Sequence, residues 1–170
     1  MNDTLARWNT LRLDRAAEEI LPCCGSRAWA QAMAAARPLP DASALFAACD
    51  QIWNNLPESD WREAFRSHPR IGECKTPAAA SAQSGAWSKT EQHHVASAGD
   101  QVKAALAKGN RAYEQKFGRI FIVCATGKSA QDILTVLEHR LQNDDQTELL
   151  EAAEQQRQIT QIRLKKWLNL

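Results

Sequence analysis

His68 is the residue best suited to chemistry in this sequence, and it opens the hexapeptide His68-Pro69-Arg70-Ile71-Gly72-Glu73. An imidazole is the side chain most easily tuned for proton transfer near neutral pH. Proline disfavours the α region for the residue before it, so a helix that approaches His68 should end there. Gly72 permits a turn that a side chain would hinder. The pattern predicts a fixed imidazole at a helix end, although a helix terminus without chemistry has the same pattern.

Glu91 is the second candidate, and it lies in the segment Ser88-Lys89-Thr90-Glu91-Gln92. The segment has the pattern of a capping box, which predicts that a long helix begins at Ser88 and runs towards Phe117. A helix N-terminus offers backbone N–H groups and a partial positive charge. The hydroxyl, carboxylate and amide of Ser88, Glu91 and Gln92 would there be suited to hold a polar ring. The alternative is that Glu91 only closes the capping box.

Arg140 and Arg163 each lie beside an apolar helical stripe, Arg140 four residues after Val136 and Arg163 four after Ile159. A guanidinium on a buried face needs an anion, because an unpaired buried charge is costly. That anion is an internal carboxylate or, in a functional site, a substrate carboxylate, with a urea carbonyl as a further acceptor. A third possibility is that the head group reaches water. The spacing leaves these possibilities open.

Two other motifs do not predict a site. Gly127-Lys128-Ser129 resembles the end of a phosphate-binding loop, but that motif needs a glycine where this chain has Ile122. The pattern instead indicates a turn and a helix cap. His93 and His94 are adjacent, so on a helix they point about 100° apart and do not readily share a metal ion. No metal is expected.

The composition is that of an ordinary globular protein. The 170 residues are 44% hydrophobic and 24% charged, which predicts one domain with a real core. Lys and Arg total 21 against 20 Asp and Glu, so no electrostatic footprint for nucleic acid or membranes is expected. No signal-peptide core or membrane-spanning stretch is seen, and the five cysteines show no CxxC pair. These features predict reduced thiols and a cytoplasmic location.

Most of the chain has helical periodicity, and the predicted fold class is all-α, as one compact domain over residues 1–170. Lys75–Trp87 is rich in Ala and Ser and is expected to be a loop that could act as a lid. Residues 120–125 are the only β-like run, and one such run predicts an extended segment between helices. The predicted helices begin near Asp14, Ser26, Asp41, Pro57, Ser88, Ser129 and Asp145.

Together these residues resemble the 2-oxo-4-hydroxy-4-carboxy-5-ureidoimidazoline (OHCU) decarboxylase family, which performs the last step of the conversion of urate to (S)-allantoin. The resemblance covers nearly the whole chain, and the order and spacing of its short anchors make it specific. The anchors are His68-Pro69-Arg70-Ile71-Gly72, Ser88-x-x-Glu91-Gln92, Tyr113…Lys116-Phe117-Gly118, Phe121-Ile122-Val123-Cys124-Ala125, Gly127-Lys128-Ser129-Ala130, Ile133-Leu134…Arg140-Leu141…Asn143 and Ile159…Ile162-Arg163-Leu164.

The resemblance implies an all-helical homodimer that works without metal or organic cofactor. It implies that His68 is catalytic and that Glu91 lies across the site from it. It also implies a set of substrate-binding groups: Pro69 against the ring, Ser88, Gln92, the backbone of Phe121, Ile122, Val123, Cys124 and Ala125, and Arg163, with Arg140 as the second choice.

The chain departs from some relatives, which have Asp-Leu-Ala after His-Pro where this sequence has Arg70-Ile71-Gly72. The role of Arg70 is therefore open. The chain ends in Leu168-Asn169-Leu170 rather than a peroxisomal Ser-Lys-Leu, which agrees with the expected cytoplasmic location.

Two other functions remain in competition. A non-enzymatic helical binding module would use the six tryptophans as surface anchors, whereas an enzyme should bury most of them. A hydrolase of a related ureide or cyclic amide would use His68 and Glu91 to activate water, and it would release no CO2.

Overall fold

Ten α-helices make up most of the chain that the structure, a computed structural model, describes, namely residues 2–73 and 77–170. No strand occurs within these two ranges, so the prediction of an all-α fold is confirmed. The helices are α1 Asp3–Thr10, α2 Leu13–Cys24, α3 Arg27–Ala35, α4 Ala42–Asn54, α5 Glu58–Arg66, α6 Ala82–Glu91, α7 His93–Ala96, α8 Asp100–Phe117, α9 Ala130–Arg140 and α10 Asp145–Trp167.

Local capping determines where several of these helices begin. The Ser26 hydroxyl accepts a hydrogen bond from the Trp29 N–H at the start of α3, and the Asp41 carboxylate accepts one from Ala44 at the start of α4. Ser129 and Asp132 form a reciprocal capping box at α9. All three caps were predicted from the sequence and are confirmed.

The sequence predicts a short helix from Asp14 to Ile20, ended by Pro22 and Gly25, but α2 continues to Cys24 with Pro22 inside it and ends at Gly25 with φ 90°. A proline this close to the end of a helix removes a single hydrogen bond, so it does not stop the chain from completing its last turn.

The predicted loop over residues 75–87 is wrong from residue 82 onward, because α6 begins there. Ser81 is its N-cap, and the Ser81 hydroxyl accepts a hydrogen bond from the Ser84 N–H at 3.1 Å. Ser, Gly and Pro within this Ala-rich run lower its helix propensity, and this is why it resembles a loop in the sequence. Cys74, Lys75 and Thr76 lie outside the described residues, and the expectation of a lid falls partly on them.

The long helix expected from Ser88 to Phe117 is instead three helices, α6 to α8. Gly109 does not interrupt α8; it allows α9 to approach, because a Cβ there would lie 2.6 Å from Leu137 Cδ2. Gly118 ends α8 in the left-handed region at φ 63°, as the sequence predicts.

The described chain divides into two compact units. The first contains the chain up to Ala64 together with Arg157–Leu170, and its core includes Trp8, Trp29 and Leu45. Trp8 donates from its indole N–H to the Ala16 carbonyl and packs edge-on against Trp167 at 5.6 Å.

The second unit contains Phe65–Gln156, and its core joins α8, α9 and the extended residues after Gly118. Residues 120–125 belong to neither a helix nor a strand, and the predicted segment between helices is therefore found at this place. Their backbone bonds to side chains instead: Arg140 donates to the Ile122 carbonyl at 2.7 Å, and Gln155 accepts from the Cys124 N–H at 2.9 Å. The prediction of one domain over residues 1–170 stays a prediction.

Among the described residues, none of the helices has the length and apolar character needed to cross a membrane.

Candidate active site

The hexapeptide forms the turn that directly follows α5. The helix ends at Arg66, and the His68 N–H donates to the Phe65 carbonyl at 3.1 Å, which closes the last turn. Gly72 has φ 86°, a left-handed conformation that glycine adopts without strain. The prediction that His68 leaves the helix and that Gly72 makes a turn is therefore confirmed.

A pocket of about 230 Å³ lies between this turn and helix α6. It is smaller than the ~300–1,000 Å³ of sites for drug-sized ligands, which suits a small ring. Three of the predicted binding residues line it, namely Pro69, Ser88 and Gln92. The other lining residues are Gly72, Glu73, Gly85, Lys89, Val95 and Ala96.

Gln92 connects the two walls of the pocket. The Gly72 N–H donates to Gln92 Oε1 at 3.1 Å, so the amide has its carbonyl end fixed by the turn. The two N–H donors of a glutamine amide lie at the other end of the group. The geometry therefore defines which end of Gln92 can donate to a ligand.

Ser88, Glu91 and Gln92 lie at the C-terminal end of α6, and the predicted capping box at Ser88 is wrong. The Ser88 carbonyl accepts a hydrogen bond from the Gln92 N–H, which caps the helix. The last turn of a helix presents carbonyls and a partial negative charge. The positive helix end that the sequence predicts at Ser88 is therefore not formed there, and Gln92 is instead the N-cap of the four-residue helix α7. The described lining contributes one cation, Lys89, and one anion, Glu73.

The two predicted catalytic residues are chain neighbours of lining residues. His68 precedes Pro69 and is 8% exposed, and Glu91 precedes Gln92 and is half-buried. Neither His68 nor Glu91 itself lines the pocket; each adjoins it through a neighbour in the chain, whose Cα lies about 3.8 Å away.

The extended residues Phe121, Ile122, Val123, Cys124 and Ala125 are all buried in the second unit. Some of their backbone groups already have partners within the protein. The Cys124 N–H donates to Gln155, and the Cys124 carbonyl accepts from Lys128 Nζ at 2.7 Å. These contacts hold the segment in a defined position.

Arg140 has the internal carboxylate partner that the sequence left open. Its Nε donates to Glu148 Oε1 at 2.9 Å, and both side chains are buried. Asn143 Nδ2 also donates to Glu148 at 2.9 Å, and the Tyr113 hydroxyl donates to the same carboxylate. Burial and this hydrogen bond raise the pKa of Tyr113. Nothing in the sequence, apart from the position of Glu148 in a predicted helix, indicated that Glu148 is this partner.

Arg163 is fully buried in the first unit, where its Nη1 lies 3.4 Å from the Pro22 carbonyl. The other predicted site residues all belong to the second unit.

Gly85 and Lys89, which were not predicted to line the site, share a helical spacing with Ser88 and Gln92, which were. Gly85, Ser88, Lys89 and Gln92 follow one another at three, one and three positions, which places them on one face of α6. Gly85 and Ser88 are both buried, and their small size leaves room for the cavity. This spacing is visible in the sequence once residues 82–91 are recognised as a helix.

No group of three or more His, Cys, Asp or Glu side chains that could hold a metal ion occurs in the part of the chain that the structure describes.

Comparison with known proteins gives a consistent result. The family model for OHCU decarboxylase matches residues 9–165. A uric acid degradation bifunctional protein of Arabidopsis thaliana is 35% identical over 144 residues, covering 85% of this chain and 44% of the relative. A 2-oxo-4-hydroxy-4-carboxy-5-ureidoimidazoline decarboxylase of Amia calva is 28% identical, covering 79% of this chain and 77% of the relative.

A crystal structure of an OHCU decarboxylase in the presence of (S)-allantoin superposes with a TM-score of 0.77 and 32% identity. The match covers 90% of this chain and 99% of that chain, whereas this chain spans less than half the length of the Arabidopsis relative. The family model covers far more than half of the sequence, and the solved relative has the same fold. The chain belongs to the OHCU decarboxylase family.

Proposed function

We propose that this chain is a carboxy-lyase that decarboxylates 2-oxo-4-hydroxy-4-carboxy-5-ureidoimidazoline to (S)-allantoin and CO2, the last step of urate-to-allantoin conversion. The observation that carries the proposal is the small pocket between the His68–Glu73 turn and the end of α6, in a chain of this family. Pro69 supplies an apolar surface, and Ser88 and Gln92 supply polar groups at one wall.

The substrate itself explains why no cofactor is required. Its carboxylate and hydroxyl share one ring carbon, which adjoins a C=N bond. When CO2 leaves, the electron pair of the broken C–C bond forms a C=C bond, and the C=N pair moves to the ring nitrogen, which takes up a proton; the product is an enol. The enol hydroxyl then loses its proton to become the allantoin carbonyl as another proton arrives at the neighbouring carbon that carries the ureido group. The protein has to orient the carboxylate and deliver that proton to one face.

His68 is proposed to handle the proton, because it is an imidazole whose backbone is fixed by the end of α5 and by Pro69. Glu91 is proposed to orient the imidazole or the substrate hydroxyl. Stereospecific delivery matters because the uncatalysed reaction gives racemic allantoin.

The ring is proposed to lie against Pro69, with Ser88, Gln92 and the backbone of Phe121–Ala125 binding its polar edges. Arg163 remains the first choice for the substrate arginine. The ion pair of Arg140 with Glu148 assigns Arg140 a structural partner and supports its place as the second choice.

The tryptophans argue against the competing binding module. Trp8, Trp29 and Trp53 are at most 2% exposed, and Trp61, Trp87 and Trp167 are half-buried. A surface that recognises partners through aromatic anchors would expose these side chains in the free protein.

The test generates the unstable intermediate of urate oxidation in situ with its upstream enzymes and follows CO2 release and circular dichroism together. The proposal expects faster CO2 release with a build-up of optically active (S)-allantoin. Optically active product without faster CO2 release would favour a ureide hydrolase, and unchanged racemic decay would overturn both enzymatic functions.

A homodimer is also proposed, as the family resemblance implies. A groove of about 850 Å³ between α2 and α3 supports it, with Leu13 at its edge 57% exposed. Asp14 and Glu18 line the groove from α2 and Arg27 from α3. A two-fold axis through this face would bring opposite charges together. Residues 1–170 are proposed to act as one decarboxylase domain. A cytoplasmic location is proposed as well, and the four cysteines among the described residues, which form no disulfide, support it.

A further inference from the structure

The turn that carries His68 is held at three consecutive residues by side chains from outside it. The third residue is Gly72, whose N–H donates to Gln92. The first two, Arg70 and Ile71, are both held by helix α8. Each contact lies within the second unit.

Asn110 of α8 holds the backbone of Ile71. Its Nδ2 donates to the Ile71 carbonyl at 2.9 Å, and Asn110 and Ile71 are 4% and 5% exposed. A buried carbonyl that lost this donor would have a substantial desolvation cost. The bond therefore determines the path of the chain three residues after His68.

Glu114 holds the side chain of Arg70 one helical turn further along α8. Arg70 Nε and Nη2 donate to the two carboxylate oxygens at 2.5 and 2.9 Å, a bidentate pair. This pairing raises the pKa of Arg70. Bidentate pairs restrict the orientation of both groups more than single hydrogen bonds do. Arg70, which the family pattern left without a role, is thereby directed towards α8.

Helix α8 holds these contacts in place, because Asn110 lies on the face of the helix that belongs to the core of the second unit. Leu106, Tyr113 and Phe117 are buried in that core, and Gly109 is in close approach to Leu137 of α9. Asn110 and Glu114 are four residues apart, so they share one face of the helix.

We propose that Asn110 and Glu114 are positioning residues that hold the Arg70–Gly72 backbone and thereby aim the His68 imidazole at the substrate. The inference rests on the proposed decarboxylase function. Small misplacements of a catalytic group cost large factors in rate, so loss of these contacts should lower kcat far more than it changes KM.

The test is a double-mutant cycle with Arg70→Met, Glu114→Ala and the combined variant, with kcat and KM measured per folded molecule. Each single change, and Asn110→Ala, should lower kcat about 10-fold with KM within about 3-fold of the parent. The combined variant should be no slower than the singles, since either change already breaks the pair. Glu114→Gln, which keeps one acceptor, should have a kcat between that of the parent and that of Glu114→Ala. Arg111→Met, an exposed change on the same helix, should match the parent.

A second readout keeps the positioning inference separate from the proposed function. The ring-nitrogen resonances of the four histidines are recorded by NMR, with His68 identified by its loss in His68→Ala. The His68 signals should shift in the single variants and stay unchanged in Arg111→Met. Single variants with the parental kcat and unmoved His68 signals would overturn the inference. A kcat that is about 100-fold below the parent in the combined variant would overturn it too, because the two losses would then be independent. An inactive parent with shifted His68 signals would overturn only the decarboxylase function.

Discussion

At the scale of single residues, His68 bears most of the proposed chemistry. His68→Ala should abolish turnover while the far-UV circular dichroism stays that of the parent, because side chains from outside the turn hold it at Arg70, Ile71 and Gly72. The matched control is His139→Ala, an exposed histidine on α9, which should retain full activity. A His68→Ala variant with measurable (S)-allantoin formation would contradict the assignment.

Glu91 gives a second prediction at this scale, and the structure changes its physical basis. A carboxylate at the C-terminus of α6 faces the negative end of the helix dipole. Glu91→Gln should therefore lower turnover while the melting temperature stays equal to that of the parent or rises slightly. Glu138→Gln, near the C-terminus of α9, removes a similar exposed charge and should change only the melting temperature. Parental turnover in Glu91→Gln would leave Glu91 without a catalytic role.

At the scale of elements, Glu148 connects α8, α9 and α10. It accepts hydrogen bonds from Tyr113, Arg140 and Asn143 and is fully buried. Glu148→Gln should destabilise the protein by about 3–5 kcal/mol in urea denaturation, because it leaves the buried Arg140 cation without its anion.

The control for this prediction is Glu58→Gln, which breaks an exposed pair with Arg62. Exposed pairs of this kind are worth about 0–1 kcal/mol, so the control should change stability little. If the two variants lost the same free energy of unfolding, the Arg140–Glu148 pair would not stabilise the packing of these helices more than an exposed pair does.

At the scale of the whole molecule, buried thiols predict a loss of stability in alkali. Burial raises the pKa of Cys23 and Cys49, and it raises the pKa of Cys24 to about 12 from an ordinary value of 9.0. Below pH 9 these groups are neutral whether the chain is folded or unfolded. Above it the unfolded chain ionises first, so the free energy of unfolding falls as pH rises towards the folded pKa.

Urea denaturation at pH 8 and pH 10.5 measures this effect, with about 2 kcal/mol expected for each such thiol over the interval. Cys24→Ala should lose less stability between the two pH values than the parent. Equal pH dependence in parent and variant would mean that Cys24 ionises as freely in the folded chain as in the unfolded one.

The proposed homodimer is also a property of the whole molecule. Leu13→Glu places a charge at the edge of the α2–α3 groove and should shift the mass measured by light scattering from dimer to monomer. Leu150→Glu is the matched control, because Leu150 is 52% exposed and lies on α10, away from this groove in the chain. A dimer that persists in Leu13→Glu would place the interface elsewhere.

The fold class, the family and most helix boundaries could be predicted from the amino-acid sequence alone. Caps such as Ser26, Asp41 and Ser129, and the left-handed glycines Gly25 and Gly118, act on residues within about four positions. Contacts over so few residues depend only on the local sequence, so they can be predicted from it. The turn at His68 is of the same kind, and so it was predicted.

Two features could be read only from the tertiary structure. One is that Ser88 lies at the end of helix α6 rather than at the start of a helix, and the other is the partner of Arg140. Residues 82–91 include Gly85, Ser84, Ser88 and Thr90, which favour a helix only weakly, so this helix depends in part on packing that the local sequence does not specify. Ser88 therefore resembled an N-cap although it lies in a last turn. The anion beside Arg140 comes from Glu148 on another helix, and the supports of the His68 turn come from Asn110 and Glu114, about 40 residues later. Contacts over such separations are determined by how the helices pack. The spacing of residues in the sequence does not predict that packing.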